Sequence, residues 1–139
     1  MVVKTVITGI GATLILVGRW ILWLSRGKLR HRTIVSTPEI AGERLTGWVF
    51  HYLTGIVFAF VPLVLYGAVW LDVPSLTGGL LAGGLTLFAP FIILQPALGF
   101  GIAASQTPRP WLARLLSVLT HLAWGFGLYI AALAIRAWA

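Results

Sequence analysis

The chain is 139 residues long; 59% of its residues are hydrophobic and only 9% are charged. A soluble domain has about 25% charged residues and uses them to cover its surface, so this composition excludes an ordinary water-soluble fold. The formal net charge is +7, but the basic residues stand between apolar runs and form no polar face, and we expect no nucleic-acid binding. The sequence has no cysteine, which excludes disulfides and thiolate-ligated metal centres.

Four apolar stretches follow one another along the chain, each close to or above the ~20 residues that cross the hydrocarbon core of a bilayer. They cover residues 5–24, 47–71, 76–104 and 112–135. The sequence therefore predicts an all-α integral membrane protein, a bundle of four transmembrane helices in one domain over residues 1–139. No A-x-A-like cleavage site follows the first stretch, so we expect it to be retained as a helix.

The connections between these stretches differ in charge. Five basic residues lie in connection 25–46, Arg109 and Arg114 lie in or just after connection 105–111, and the connection at Asp72 has no basic residue. Because basic loops remain in the cytoplasm, we expect 25–46 and 105–111 to be cytoplasmic and both termini to lie outside. Arg19 interrupts the first stretch, and we expect its side chain to snorkel towards the headgroups.

An offset of seventy residues aligns one half of the chain with the other. The matches are Gly9 and Ala12 with Gly79 and Ala82, Thr37-Pro38 with Thr107-Pro108, Arg44-Leu45 with Arg114-Leu115, His51 with His121, and Gly55 with Gly125. We interpret them as duplication of a helical hairpin, with repeat 1 at about 5–71 and repeat 2 at about 76–139. Both copies would enter the membrane in the same direction, as a parallel repeat. Each threonine is expected to cap the helix that follows it.

Prolines and glycines inside the stretches predict local features of the helices. Pro62, Pro90 and Pro96 lie within predicted spans, where each removes a backbone donor, and we expect kinks there. The alternative is a broken helix that lines a binding site, and the stretch from Gln95 to Gly101, with an amide, a freed carbonyl and two glycines, is the exception that fits it best. Gly79 and Gly83 form a G-x-x-x-G pair, which predicts close approach of a second helix.

Polar side chains at similar predicted depth form the candidate site. Polar groups inside hydrocarbon are costly and usually face the protein interior, so we expect a pocket between the two hairpins that binds or moves a small solute, an ion or a proton. Its expected lining is His51, His121, Gln95, Thr54 and Thr120, with Arg44 and Arg114 at the cytoplasmic mouth.

Other interpretations of these polar residues remain open. They could only hold helices together in a structural or assembly subunit, or both histidines could ligate haem in a redox protein. No carboxylate or cysteine accompanies the histidines, so we expect no metal site and no cofactor. No catalytic motif is present, and we do not expect an enzyme. Four helices are few for a complete transport path, so besides lipid we expect a homodimer or a membrane partner protein.

Several short segments resemble those of a known family. They are Val17-Gly18-Arg19-Trp20, Gly27-Lys28-Leu29-Arg30-His31, Gly42-Glu43-Arg44, His51-Tyr52, and the run from Gln95 to Pro108. The chain thereby resembles a family of bacterial membrane proteins catalogued as domain of unknown function 2938. The resemblance implies a multi-pass protein of the bacterial inner membrane with about four helices. It implies no activity and no catalytic residue.

Overall fold

The computed structural model describes residues 2–138, with side chains from residue 11 onward, and every regular element in this part is helical. The elements in chain order are α1 (Val2–Leu24), α2 (Glu43–Phe58), α3 (Val61–Tyr66), α4 (Val69–Asp72), α5 (Leu76–Thr86), a π-helical segment (Ala89–Leu94), α6 (Gln95–Leu98), a 3₁₀ turn (Ile102–Ala104) and α7 (Pro110–Trp138).

Three helical stretches are long and apolar enough to cross a membrane: Glu43–Tyr66, Leu76–Leu98 and Pro110–Trp138. They correspond to the second, third and fourth predicted spans. Only 6%, 28% and 11% of their most apolar windows are buried inside the protein, which is compatible with helices that face lipid. The first predicted span lies in α1, whose described apolar stretch is the shorter Gly11–Leu24. The side chains of residues 5–10, including Gly9 of the proposed repeat, lie outside the described residues.

The prolines interrupt the second and third spans where kinks are predicted. Helix α2 ends at Phe58, and α3 begins three residues later with Pro62 in its first turn. Pro90 lies in the π-helical segment and Pro96 in α6. Because a proline cannot donate to the preceding turn, the backbone changes its winding at these points. These changes of winding lie where kinks are predicted, and a bend of the helix axis at each proline stays a prediction.

Glycines bring the long helices together in two antiparallel pairs. Helix α1 packs on α2, where a Cβ on Gly18 or Gly47 would overlap the backbone of the opposite helix. Helix α5 packs on α7 in the same manner through Gly79, Gly83 and Gly125. The close packing predicted for Gly79 and Gly83 is confirmed, because a missing side chain lets two backbones approach.

The glycines that close the two helix pairs do not lie at corresponding positions of the proposed repeat. At the seventy-residue offset, Gly18 and Gly47 correspond to Phe88 and Ser117, so the glycines that close one pair are not copies of those in the other. The pairs touch each other through Phe58 and Trp124, whose ring centroids are 6.5 Å apart. The duplicated hairpin and the four-helix bundle stay predictions.

The predicted threonine caps are wrong. Helix α2 begins at Glu43, with Gly42 at a φ of 90° before it, and α7 begins only at Pro110. The Thr37 hydroxyl donates to the Thr33 carbonyl at 3.0 Å, and the Thr107 hydroxyl donates to the Ala104 carbonyl at 2.7 Å. Both threonines close turns within the connections because the helices start several residues later.

Candidate functional site

The first connection, residues 25–42, folds back onto the end of the third span. The backbone N–H of His31 donates to the Ala97 carbonyl, and that of Ile34 donates to the Leu98 carbonyl, both at 2.9 Å. Ile34 has no exposed surface. Gly99, with a φ of 87°, lies so close to the backbone of Arg32 that a Cβ would not fit. The connection is therefore an ordered part of the fold at this end of the molecule.

Arg19 fixes the start of α2 to the end of α1. Its side chain is buried, and its Nε and Nη2 atoms donate to the two carboxylate oxygens of Glu43 at 2.7 and 2.8 Å. Nη1 donates to the Thr37 carbonyl at 3.0 Å, and Glu39 lies 3.3 Å from Nη2. The prediction that Arg19 snorkels to the headgroups is wrong, because two carboxylates and a carbonyl neutralise and bind the guanidinium inside the protein.

Two tryptophans near the end of α1 hold the same connection. Trp20 Nε1 donates to the Leu29 carbonyl at 2.9 Å, and Trp23 Nε1 donates to the Pro38 carbonyl at 3.1 Å. The cationic groups of Arg26 and Lys28 lie 5.3 and 5.4 Å from the Trp23 ring centroid, within the range of cation–π attraction. These contacts position the basic residues of the connection.

His31 is the most enclosed titratable group in the connection, with 4% of its surface exposed. Its Nδ1 lies 2.9 Å from the Thr37 hydroxyl. The single hydrogen of that hydroxyl is already donated to Thr33, so the hydroxyl accepts from Nδ1–H. The buried Nε2 has no partner. Burial, and then the positive charge of Lys28, lower the pKa of His31 below its ordinary value of 6.5, so the ring is neutral at pH 7.

A cavity of about 480 Å³ lies where the connection meets the segment after α6. Its polar lining consists of Arg30, His31 and Arg32 from the connection, and Ser105 and Gln106 from the segment before α7. No carboxylate belongs to the lining. The arrangement presents two guanidinium groups, one imidazole, a hydroxyl and an amide, which together suit an anion.

The structure places the two predicted site histidines in different environments. His121 is half-buried, with Nδ1 2.7 Å from the Thr86 hydroxyl, and that hydroxyl donates to the Gly83 carbonyl at 2.7 Å. Nδ1–H of His121 is therefore the donor, and the bond joins α5 to α7. His51 is exposed on α2, beside the rings of Trp48 and Tyr52.

The remaining predicted site residues lie apart from one another, and each has its own surroundings. Arg114 donates to the Ala103 carbonyl at 2.7 Å, and Thr120 donates to carbonyls of its own helix. Gln95 has a buried Oε1 without a partner, whereas Arg44 is exposed and Thr54 is half-buried. All seven predicted residues lie in the described part of the chain, and no hydrogen bond or ring contact joins any two of them. The shared pocket stays a prediction, as do the expectations for metal, haem and other cofactors.

Sequence reasoning left Arg30, His31 and Arg32 out of the candidate site. A basic run such as Arg26 to Arg32 could bind anionic lipid headgroups, but it more often only fixes topology. One feature of the sequence could have indicated an anion site in this connection. His31 stands directly between two arginines, and its four nearest charged neighbours along the connection, at positions 26, 28, 30 and 32, are all positive.

In the described part of the chain every regular element is helical, and three of the helical stretches are long and apolar enough to cross a membrane, which is compatible with the class of multi-span membrane proteins. The chain belongs to the family of proteins of unknown function designated DUF2938, which it matches over residues 1–135. The resemblance carried by the Gln95–Pro108 run and the shorter segments is thereby confirmed. No curated protein and no solved structure matches the chain.

Proposed function

We propose that this protein is an integral membrane protein that binds a small oxyanion at its basic end. The observation that carries the proposal is the cavity lined by Arg30, His31 and Arg32, together with the buried Nε2 of His31, which has no hydrogen-bond partner. By the distribution of basic residues this end faces the cytoplasm, and the family resemblance supports a bacterial inner membrane.

The charge balance around the cavity supports an anion. The two carboxylates nearest in sequence, Glu39 and Glu43, are both engaged by Arg19. Arg30 and Arg32 have no ion-pair partner among the described residues, so their charges are left for a ligand. Arginine binds tetrahedral oxyanions with paired N–H donors, which favours a phosphate or sulfate group over a halide.

The predicted intramembrane residues extend this proposal. Gln95 directly precedes Pro96, which borders the cavity, and its buried Oε1 lacks a donor. We propose that Gln95, and beyond it His121, form the polar side of a path along which the anion or a proton moves between the helix pairs. A homodimer or a membrane partner would supply the remaining wall of such a path.

A structural subunit is the second candidate function, and one contact favours it. The hydrogen bond from His121 to Thr86 joins α5 to α7, as expected of a histidine that only holds two helices together. In that case His121→Leu would destabilise the protein, whereas anion binding at the loop cavity would be absent.

Calorimetric titration of the detergent-solubilised protein with sodium sulfate and with inorganic phosphate tests the proposal. We expect saturable binding of both anions, and its loss in Arg30→Gln/Arg32→Gln. The matched control is Arg136→Gln, which removes an exposed arginine near the end of α7 and is expected to bind like the wild type. If neither sulfate nor phosphate bound to the folded protein between pH 5.5 and 8, the proposal would be contradicted.

The same oxyanion chemistry occurs in free phosphate and in lipid headgroups, and a second arm separates them. The protein is reconstituted into phosphatidylcholine nanodiscs with and without phosphatidylglycerol, and sulfate is titrated into each. Competition by phosphatidylglycerol assigns the cavity to a headgroup, whereas equal sulfate affinity in both discs assigns it to a free anion.

A further inference from the structure

We propose that the oxyanion binds together with a proton, which His31 takes up on Nε2. The inference rests on the proposed anion site and concerns the charge state in which that site binds. If His31 takes up a proton in this way, the site binds an anion and a proton together and is not a fixed array of positive charges.

The direction of the hydrogen bonds around His31 carries the argument. The Thr37 hydroxyl has one hydrogen, and the Thr33 carbonyl at 3.0 Å receives it. The hydroxyl oxygen therefore accepts from the ring, and the neutral His31 ring carries its hydrogen on Nδ1. Nε2 then bears a lone pair, which repels the oxygen of an anion. Only a protonated Nε2 can donate to that oxygen.

The surroundings of the ring set the cost of adding this proton. The charged groups near His31 on its own connection are Lys28, Arg30 and Arg32, all positive. Arg19 reaches the connection from α1 but is balanced by Glu39 and Glu43. The packed segment 95–106 contains no titratable residue. An empty cavity thus disfavours the imidazolium, and a bound anion supplies the negative charge that stabilises it.

Anion binding changes one covalent bond, the N–H bond at Nε2 of His31. A proton passes from water to Nε2 and an N–H bond forms. The imidazolium then donates a hydrogen bond to the anion oxygen, and no other covalent bond changes. When the anion leaves, the proton returns to water. The burial and neighbouring charge that already lower the pKa of His31 are consistent with an empty site that holds no proton at neutral pH.

Titration calorimetry with sodium sulfate in two buffers of different ionisation enthalpy, Tris and HEPES, measures the protons taken up. Sulfate is chosen because it carries no proton of its own near pH 7. We expect close to one proton per sulfate at pH 7.5, and an affinity that falls up to about tenfold for each pH unit above the pKa of the empty site. In His31→Gln the uptake and the pH dependence are both expected to disappear, while weaker binding through the arginines remains.

Thr37→Val tests the hydrogen bond to Nδ1 through the proton uptake, which would not change if Thr37 had only a structural role. Without the hydroxyl, Nδ1 loses its acceptor and the neutral ring can carry its hydrogen on Nε2, from which it donates to sulfate directly. Proton uptake is then expected to fall well below one per sulfate. Thr77→Val, a threonine exposed in α5, is the control and should leave the uptake unchanged. Far-ultraviolet circular dichroism confirms that each variant is folded.

The possible outcomes separate this inference from the proposed function. Saturable sulfate binding without proton uptake, and with the same pH dependence in wild type and His31→Gln, overturns the coupling but leaves the anion site standing. No sulfate binding even at pH 5.5, where the ring is most readily protonated, overturns the anion site itself and the coupling with it.

Discussion

At the scale of single residues, Arg19 shows how a charge is accommodated at the end of an apolar helix. A bare guanidinium near hydrocarbon is costly, and here two of its nitrogen atoms bind one carboxylate at 2.7 and 2.8 Å. The Glu43 side chain is 13% exposed, so each charge depends on the other for compensation. Removing one partner of such a pair is costly because it leaves the other charge buried and unpaired.

Arg19→Gln is therefore expected to destabilise the protein by about 3–5 kcal/mol, the usual cost of an orphaned buried charge. Thermal unfolding in detergent, followed by circular dichroism, measures the effect. The double variant Arg19→Gln/Glu43→Gln should recover a large part of the loss, because neither charge remains. Arg136→Gln is the exposed control. A single variant as stable as the control would show that the pair contributes little.

His31 is expected to make stability pH-dependent in the absence of binding anions. Its pKa is lower in the folded protein than its ordinary 6.5, so the unfolded chain binds more protons in the interval between the two values. Stability is thus fully present above about pH 6.5 and decreases as the pH falls through this interval. Unfolding of wild type and His31→Gln is compared from pH 5 to 8 in chloride. The wild type should lose more stability on acidification than His31→Gln; parallel curves would contradict this assignment.

At the scale of elements, glycine contacts determine how the long helices pair. Gly125 in α7 faces Gly79 so closely that a Cβ would meet the Gly79 carbonyl. Gly127, two residues later on the same helix, has no atom within 4 Å of a Cβ built on it. Between helices that lie in a membrane no hydrophobic force drives association, so close backbone packing of this kind would contribute much of it.

Gly125→Ala and Gly127→Ala form a matched pair of substitutions in one helix. Gly125→Ala is expected to lower stability by about 1–3 kcal/mol, the usual cost of overpacking. Gly127→Ala should be neutral or slightly stabilising because alanine favours the helix by up to about 1 kcal/mol. Thermal unfolding in detergent measures both. Equal effects of the two substitutions would mean that α5 and α7 do not meet at Gly79 and Gly125.

At the scale of the whole molecule, α1 packs on α2, α5 packs on α7, and the folded first connection docks at one end of the third span. The connection docks on Ala97 and Leu98 through backbone hydrogen bonds, so both positive connections belong to the same end. The opposite end carries Asp72 and no basic residue in its connection. The distribution of charge therefore predicts one orientation in the membrane.

The chain has no cysteine, which permits a labelling test of this orientation. Single cysteines are introduced at Ser36, Ser105 and Val73, all exposed positions. A membrane-impermeant maleimide should label Val73→Cys in intact cells, and label Ser36→Cys and Ser105→Cys only after permeabilisation. Labelling of Ser36→Cys in intact cells would reverse the orientation and place the anion site outside.

Hydropathy and local backbone chemistry could be read from the sequence alone. They determined the helical class, three spans of sufficient length, the interruptions at Pro62, Pro90 and Pro96, and the close packing at Gly79 and Gly83. Each of these depends on a residue's own chemistry and its neighbours within a turn or two.

Only the tertiary structure decided which polar groups meet. Arg19 binds Glu43, which is twenty-four residues away in the sequence. The backbone of His31 binds the end of the third span, at Ala97. The sequence pattern assigned Arg19 to the headgroups and gave His31 no role, because hydropathy measures the cost of removing a charge or a ring from water. It does not identify the distant partner that offsets this cost, and that partner is fixed only when the helices pack.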